Sequence, residues 1–549
     1  MALDLRTASA DEAAHAFLER VRQTCGADAV AEGAQVAAYT RCTSGVQRVV
    51  HGIVFPRSSA EVVSAVKLAR EHRVPLYPVS TGNNWGYGSA NPVVDRCVVV
   101  NLSRMNRILE FDTELGLATV EPGVTQGQLA ARLAKTSPQF LVPTTGAGPS
   151  GSILGNALER GYGITPLSDH FGALMSLKAV LPDGQTYASP LGELGAPGAG
   201  KAFKWGLGPY LDGLFSQGAF GIVTQATFAL ARRPERVEAF LFGVDREDRL
   251  EALVEAVRDV VTVLPGTVGG VNLMNARRVL AMVAPFPTER VGVDGLIPEM
   301  LLKELCRRHQ VMPWTGFGTL YGTGRVVRAA RSEIKSRLRR LASRLIFVTP
   351  ERADRLRRVV RWIPPLDKRV GGTLETLRSS LELVAGIPNE TALPLAYWKR
   401  PGGRDRDREL NPARDGCGLI WYAPLVEMKG ARVRRYIDLV TRLLPQHGVE
   451  PLITLTSLSD RCFSSTVPIL FDADSGPATA SAQRRYAALL DAGRGEGFLP
   501  YRVGVQTMEW LMRHGGDHWK LVARLKAAVD PLGIVSPGRY SPPPGDATR

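Results

Sequence analysis

Two glycine-rich segments constrain this chain more than anything else in it: Pro78–Pro92 (PVSTGNNWGYGSANP) and Pro149–Gly163 (PSGSILGNALERGYG). In the first, Gly82, Gly86 and Gly88 sit among small polar residues just after the apolar run Val74–Val79. Glycine accepts positive φ and lets the backbone come close to a ligand. Consecutive free N–H groups in such a loop form a nest for phosphate oxygens. The second segment repeats the chemistry with Ser150, Gly151 and Ser152, then Gly155 and Asn156. Together they read as a cradle for a large anionic cofactor. A Rossmann cradle is excluded by spacing, because Gly82-x-x-x-Gly86-x-Gly88 is not G-x-G-x-x-G and no helix opens directly from it.

The chain has 549 residues, too many for one core, so two domains are expected. A hydrophobic content of 44% with 7% aromatics fits a globular enzyme. No apolar run is long enough to cross a bilayer, and the acidic start MALDLRTASADEAAHAFLERV has no secretory h-region. It reads as a lead-in and an amphipathic helix from about Ala10. Six scattered cysteines without a CxxC pair, and no export signal, point to reduced thiols and a cytoplasmic location. Much of the net charge of +15 lies between Arg325 and Arg369, where arginines at helical spacing suggest helices with a basic outer face. That face is either solvated or meets an acidic partner. No reader motif accompanies the charge, so nucleic acid is not expected.

His51–Val54 and Val74–Val79 read as strands flanking a helix over Ala60–Arg70, a βαβ unit with the glycine loop at the carboxyl end of its second strand. Val98–Leu102 and Leu117–Glu121 add strands, and Gln126–Leu133 a helix. ARRPERV (231–237) looks like a hinge, after which long amphipathic helices alternate with β-rich runs such as Gly418–Ala423 and Pro451–Thr456. Pro401–Asp415 reads as an exposed loop. His514 and His518, spaced i, i+4, lack an acid or cysteine to complete a metal set and read as one exposed helix.

The segments STGNNWGYGSANP, EPGVTQGQL (121–129), GSILGNALERGYGITPLSDHF (151–171), GPYLDGLFSQGAFGIVT (208–224) and DPLGIVSPGRYSP (530–542) resemble, in order, the vanillyl-alcohol oxidase and p-cresol methylhydroxylase family. The likeness is to its branch acting on para-substituted phenols. It implies an α+β, two-domain flavoprotein: an FAD-binding domain (1–236), an α/β cap (237–499) and a C-terminal return to the first domain (500–549). It further implies FAD held by Ser80, Thr81, Gly82, Asn83, Asn84, Gly86, Pro122, Gly123, Ser152, Gly155, Asn156, Ile222, Val223 and Arg539. A homodimer, with oxygen or another electron acceptor, is the expected setting.

Tyr87, Tyr501 and Arg502 match the family's grip on a phenolic oxygen. A fixed guanidinium and two phenolic donors favour an anion and lower a bound phenol's pKa. The ionised oxygen then pushes electron density through the ring and eases hydride loss at the benzylic carbon, giving a quinone methide. His170 sits in a family motif without an evident role. Two departures stand out. The family's aspartate beside the flavin aligns with Ala147, and its covalent attachment position aligns with Leu419, which has no nucleophile. Cys417 would share Leu419's side of a strand, but a buried cysteine is more often structural. Non-covalent FAD is expected. The rival readings are a tailoring oxidase or dehydrogenase of a non-phenolic or carrier-bound intermediate, and a flavin-binding protein without turnover.

Overall fold

The computed structural model describes residues 2–361, 364–400, 402–404 and 407–542. Three sheets organise it. The first contains β1 (Val30–Ala31), β2 (Val50–Val54), β3 (Leu76–Val79) and β4 (Cys97–Asn101) in the order β1-β2-β4-β3. β4 pairs in parallel with both β2 and β3, so the two strands that flank the helix Ser59–His72 are not neighbours. The helix starts because Ser58 accepts a hydrogen bond from the Glu61 amide. Its apolar side, including Val62, Val66 and Ala69, is buried. β3 then runs straight into the first glycine-rich loop.

The second sheet is antiparallel: β5 (Ile108–Asp112), β6 (Leu117–Val120), β7 (Leu174–Val180), β8 (Thr186–Ala188) and β9 (Ile222–Ala229), in the order β5-β6-β9-β7-β8. The helix Gln126–Thr136 follows β6 and opens with a reciprocal capping box between Thr125 and Gln128.

The third sheet has eight strands: β10 (Arg236–Val244), β11 (Val268–Asn275), β12 (Trp314–Gly322), β13 (Arg344–Val348), β14 (Cys417–Tyr422), β15 (Leu425–Glu427), β16 (Thr454–Ser457) and β17 (Cys462–Asp472). Their order is β13-β10-β12-β11-β16-β17-β14, with β15 on β17. Alternation gives this sheet two different faces. Phe240, Phe242, Val271, Leu273, Leu455, Phe463 and Ile469 point into a large core beneath helices Leu250–Val263, Gly324–Leu338, Gly430–Gln446 and Gly476–Glu496. The other face meets the chain around Ile164 and the helix Pro364–Val384. From it, Tyr321 donates to the carbonyls of Ile164 (3.0 Å) and Val384 (2.8 Å).

The C-terminal segment is tied back by a buried ion pair. Lys526 Nζ lies 2.6 Å from Asp530 Oδ2 and also donates to the Val535 carbonyl (2.7 Å) and that of Ala219. Asp530 accepts the amides of Ile534 and Val535, both at 2.8 Å. The Leu76 amide donates to the Ile534 carbonyl at 2.7 Å, which joins this turn to β3.

Two sequence expectations fail. The region Arg325–Arg369 is not helical throughout: the helix stops at Leu338, and Arg344–Val348 is strand β13, because Leu345, Ile346 and Phe347 pair along β10. His514 and His518 do not share a helix either. Gly515 and Gly516 separate the helices Met508–His514 and Asp517–Val529. Within 325–369, the side chains of 361–369 lie outside the described residues, as do Pro401, Asp405 and Arg406 of the expected loop. Among the described residues, no helix is long and apolar enough to cross a membrane, and no His/Cys/Asp/Glu group could hold a metal.

Candidate active site

The two glycine-rich loops face each other across a single cavity. Its wall includes Ser80, Thr81, Gly82, Asn83, Asn84, Ser152, Gly155, Asn156, Val223 and Arg539, ten of the residues expected to hold FAD. The loops are fastened together by Asn83, whose Nδ2 donates to Ser150 O (3.1 Å) and Ser150 Oγ (3.0 Å). Gly82 holds φ at +74°, which brings the loop backbone onto the cavity without a side chain. Ser152 Oγ donates to the Pro122 carbonyl (2.7 Å) and accepts the Gly155 amide (2.9 Å). A Cβ on Gly155 would sit 2.9 Å from Ser80 Oγ. A side chain at this position would therefore crowd the two serines that face the cavity.

Four of the expected holders lie behind the wall. Gly86, at φ +82°, packs on Trp421 of β14, where a Cβ would meet Cδ1 at 2.1 Å. Gly123 fits against the carbonyls of Leu102, Ser103 and Met105. Ile222 is buried in the core of the first sheet, and Pro122 contributes its carbonyl to Ser152.

The structure adds residues that sequence reasoning passed over. Glu159 bridges two arginines, accepting from Arg539 Nη2 and lying 3.7 Å from Arg502 Nε. Arg539 Nη1 also donates to the Tyr77 hydroxyl at 2.8 Å. His170 gains a role: its Nδ1 lies 2.6 Å from Asn156 Nδ2. Burial pulls the imidazole down to about 4, so it is neutral at physiological pH and accepts the amide proton. That bond fixes Asn156 in the cradle. Nothing local in the sequence signals Glu159, because its partners lie hundreds of residues away.

Arg502 stands where the two expected sites meet. It lines the same cavity, donates through Nη2 to Asn84 Oδ1, and lies with Cζ 4.2 Å from the centroid of Tyr87. Tyr501 packs edge-on against Tyr162 at 6.0 Å. Burial pushes both the Tyr87 and Tyr501 hydroxyls up despite the opposing pull of Arg502, so both stay protonated and can donate. Arg502 Nε and Ser89 Oγ are buried without a hydrogen-bond partner among the described residues, and both residues line this cavity. Such atoms carry a desolvation cost that a polar ligand removes.

The third sheet has a second face, turned away from its core. Its central strands β11, β16 and the facing half of β17 present Asn272, Met274, Thr454, Thr456, Ser464 and Thr466 by alternation with the core residues. None of these six is a carboxylate, and neither is Ala147 on the opposite wall. β14 contributes Leu419 and Cys417 to its own end of this face. Both are buried, and burial pushes the Cys417 thiol up to about 12.

Residues 50–188 match the model of an FAD-binding domain. The chain is 34% identical to the 1'-carboxy-chondrochloren decarboxylase of Chondromyces crocatus, over 93% of each chain. It is 28% identical to the flavoprotein subunit of 4-cresol dehydrogenase (hydroxylating) from Pseudomonas putida, over 95% of this chain and 94% of that one. The crystal structure of p-cresol methylhydroxylase with substrate bound superimposes with a TM-score of 0.85 at 25% identity, covering 96% of both chains.

Proposed function

The chain belongs to the p-cresol methylhydroxylase and vanillyl-alcohol oxidase family of FAD-dependent oxidoreductases, and from that premise we propose that it oxidises a para-substituted phenol at the benzylic carbon. Bound in the cradle, FAD supplies a two-electron acceptor. Ser80–Asn84, Ser152, Gly155, Asn156 and Arg539 hold it, without a covalent link at Leu419. The observation that carries the reading is Arg502 on the wall of that cavity, with the Tyr87 ring 4.2 Å from its guanidinium; Tyr501 precedes it in the chain.

Arg502 provides a permanent positive charge, and the protonated hydroxyls of Tyr87 and Tyr501 provide donors to an anionic oxygen. A phenol held there ionises more readily. Its charge delocalises to the para position and weakens the benzylic C–H bond toward hydride loss, leaving a quinone methide. The surrounding burial excludes water and strengthens the interaction of Arg502 with the anion.

A second reading concerns the fate of that quinone methide. Adding water to it, or removing a neighbouring proton, calls for a base. Ala147, aligned with the family's aspartate, offers none. Loss of CO2 from a carboxylate on the adjacent carbon needs no base. The C–CO2 bond breaks, its electron pair becomes the new alkene bond, and the ring regains aromaticity as a phenolate. The similarity to a protein named a decarboxylase favours the same outcome.

Anaerobic titration separates these readings from a non-phenolic one. 4-Alkylphenols are expected to bleach the flavin absorbance and their O-methyl ethers to leave it unchanged. Equal bleaching by both would remove the phenolate reading. Admitting oxygen then shows whether oxygen serves as the acceptor.

A further inference from the structure

A carboxylate stands on the cavity wall beside the guanidinium of the phenol grip, and the mechanism so far gives it no task. Ser152, in the cradle, caps the short helix Ile153–Leu158, and Glu159 closes its other end, with its amide donating to the Gly155 carbonyl at 3.2 Å. The Glu159 carboxylate is shared between two arginines: Oε1 accepts from Arg539 Nη2, and Oε2 lies 3.7 Å from Arg502 Nε. All three side chains belong to residues that line the cavity. The backbone is tied to the same corner, because Gln217 Nε2 donates to the carbonyls of Glu159 (3.4 Å) and Tyr501 (3.1 Å).

Arg502 and Glu159 interact through charge rather than through a hydrogen bond. Arg502 Nε and Glu159 Oε2 are both enclosed without a hydrogen-bond partner among the described residues. The two side chains are only 13% and 17% exposed, so water screens the pair weakly. Tyr501 shows how far the carboxylate reaches. Burial raises its hydroxyl most, Arg502 pulls it down, and Asp169 and Glu159 push it up. Asp169 is exposed and therefore screened. The other titratable groups of this corner, Tyr77, Tyr87 and Tyr540, are pushed up by burial and stay neutral. An anion arriving at Arg502 thus meets a guanidinium bonded by Asn84 and partly offset by Glu159.

We propose that Glu159 is a positioning residue of the phenol grip: it holds Arg502 at the cavity wall and opposes the negative charge of a bound phenolate, so that the phenol ionises less completely than Arg502 alone would make it. A like charge disfavours an anion as surely as Arg502 favours it. The two residues therefore act in opposite directions on one oxygen, and together they set the pH range in which a phenol is activated. The inference rests on the benzylic-oxidation reading for the phenolic oxygen at Arg502; the ion pair itself stands on the geometry.

The test uses 4-nitrophenol bound to the FAD-loaded enzyme. It has no benzylic C–H to lose, and its yellow phenolate reports ionisation directly in a difference spectrum. Wild type should lower the ionisation midpoint below that of the free phenol, and Arg502→Met should raise it again. Glu159→Gln keeps the shape and an acceptor for Arg539 but removes the charge. It should lower the wild-type midpoint further, by about one pH unit, a gain of about ten-fold in the ratio of phenolate to phenol. Glu159→Asp keeps the charge but draws it back, so its midpoint should fall between the two. If Glu159→Gln loses its FAD, the Asp variant decides: a midpoint below wild type supports the proposal, and an unchanged one overturns it. An unchanged or raised midpoint in FAD-loaded Glu159→Gln, or loss of FAD from both variants, would overturn it and make Glu159 a support of the cradle. The two readings fail separately. If wild type and Arg502→Met both leave the midpoint at the free value, the phenol grip fails and takes the proposal with it. If Arg502 lowers the midpoint and Glu159→Gln does not move it, the proposal alone fails.

Discussion

Arg502 Cζ lies 4.2 Å from the ring centroid of Tyr87, although the two residues sit at opposite ends of the chain. The contact joins the first glycine loop to the C-terminal segment at the wall of the cavity. In the proposed function the same two pieces of chain build the substrate and cofactor sites, so damage to their attachment should reach both.

The attachment depends on the buried Lys526–Asp530 pair. Asp530→Ala leaves Lys526 buried without its counter-ion and frees the amides of Ile534 and Val535. A loss of about 3–5 kcal/mol in stability is expected, read as a lower denaturant midpoint, with FAD lost in parallel. An unchanged midpoint would mean that the C-terminal turn is held by other contacts.

His170 makes the cradle sensitive to acid. Its folded value of about 4 lies below the ordinary histidine value of about 6.5. Between these two values the unfolded chain binds the extra proton, so stability contributed by neutral His170 is complete above about pH 6.5 and is lost as the pH falls toward 4. The loss reaches at most about 3 kcal/mol. His170→Gln should flatten the stability profile in that window, and thermal melts from pH 4 to 7 measure it.

Gly155→Val places its Cβ 2.9 Å from Ser80 Oγ and 3.2 Å from Ser152 Oγ, in the cradle itself. A folded but colourless protein is the expected outcome, measured as the ratio of flavin to protein absorbance. Gly86→Ala acts differently. It pushes on Trp421 at a positive φ and should cost about 1–3 kcal/mol of stability. Full FAD occupancy in Gly155→Val would place the phosphates elsewhere.

Acid precipitation should release FAD into the supernatant. Leu419 offers no nucleophile, and the Cys417 thiol, pushed up to about 12, is protonated at neutral pH and unreactive. Flavin fluorescence travelling with the denatured protein band would contradict this and implicate Cys417.

Most of the cradle was legible in the sequence because glycine-rich loops and their small polar residues are local signals. Ser80–Asn84, Ser152, Gly155 and Asn156 line the cavity as expected. Glu159 was not legible. A single acid carries no local pattern, and it acquires meaning only from partners fixed by the tertiary fold. The strand Arg344–Val348 was misread for a related reason. Arginines between leucines suit a helix by period, but pairing with β10 decides the backbone. The histidines at 514 and 518 show the reverse case, where the two glycines between them broke the helix that their spacing suggested.

The central claim is that Arg502 stabilises a bound phenolate, and the pH dependence of anaerobic flavin reduction tests it most directly. With a 4-alkylphenol, wild-type reduction should rise through an apparent pKa below the free phenol's value of about 10. Arg502→Met should slow reduction about ten- to a hundred-fold at neutral pH. It should also shift that apparent pKa upward, so that the deficit narrows as the solution becomes alkaline. A variant that reduces at the wild-type rate at every pH would contradict the account.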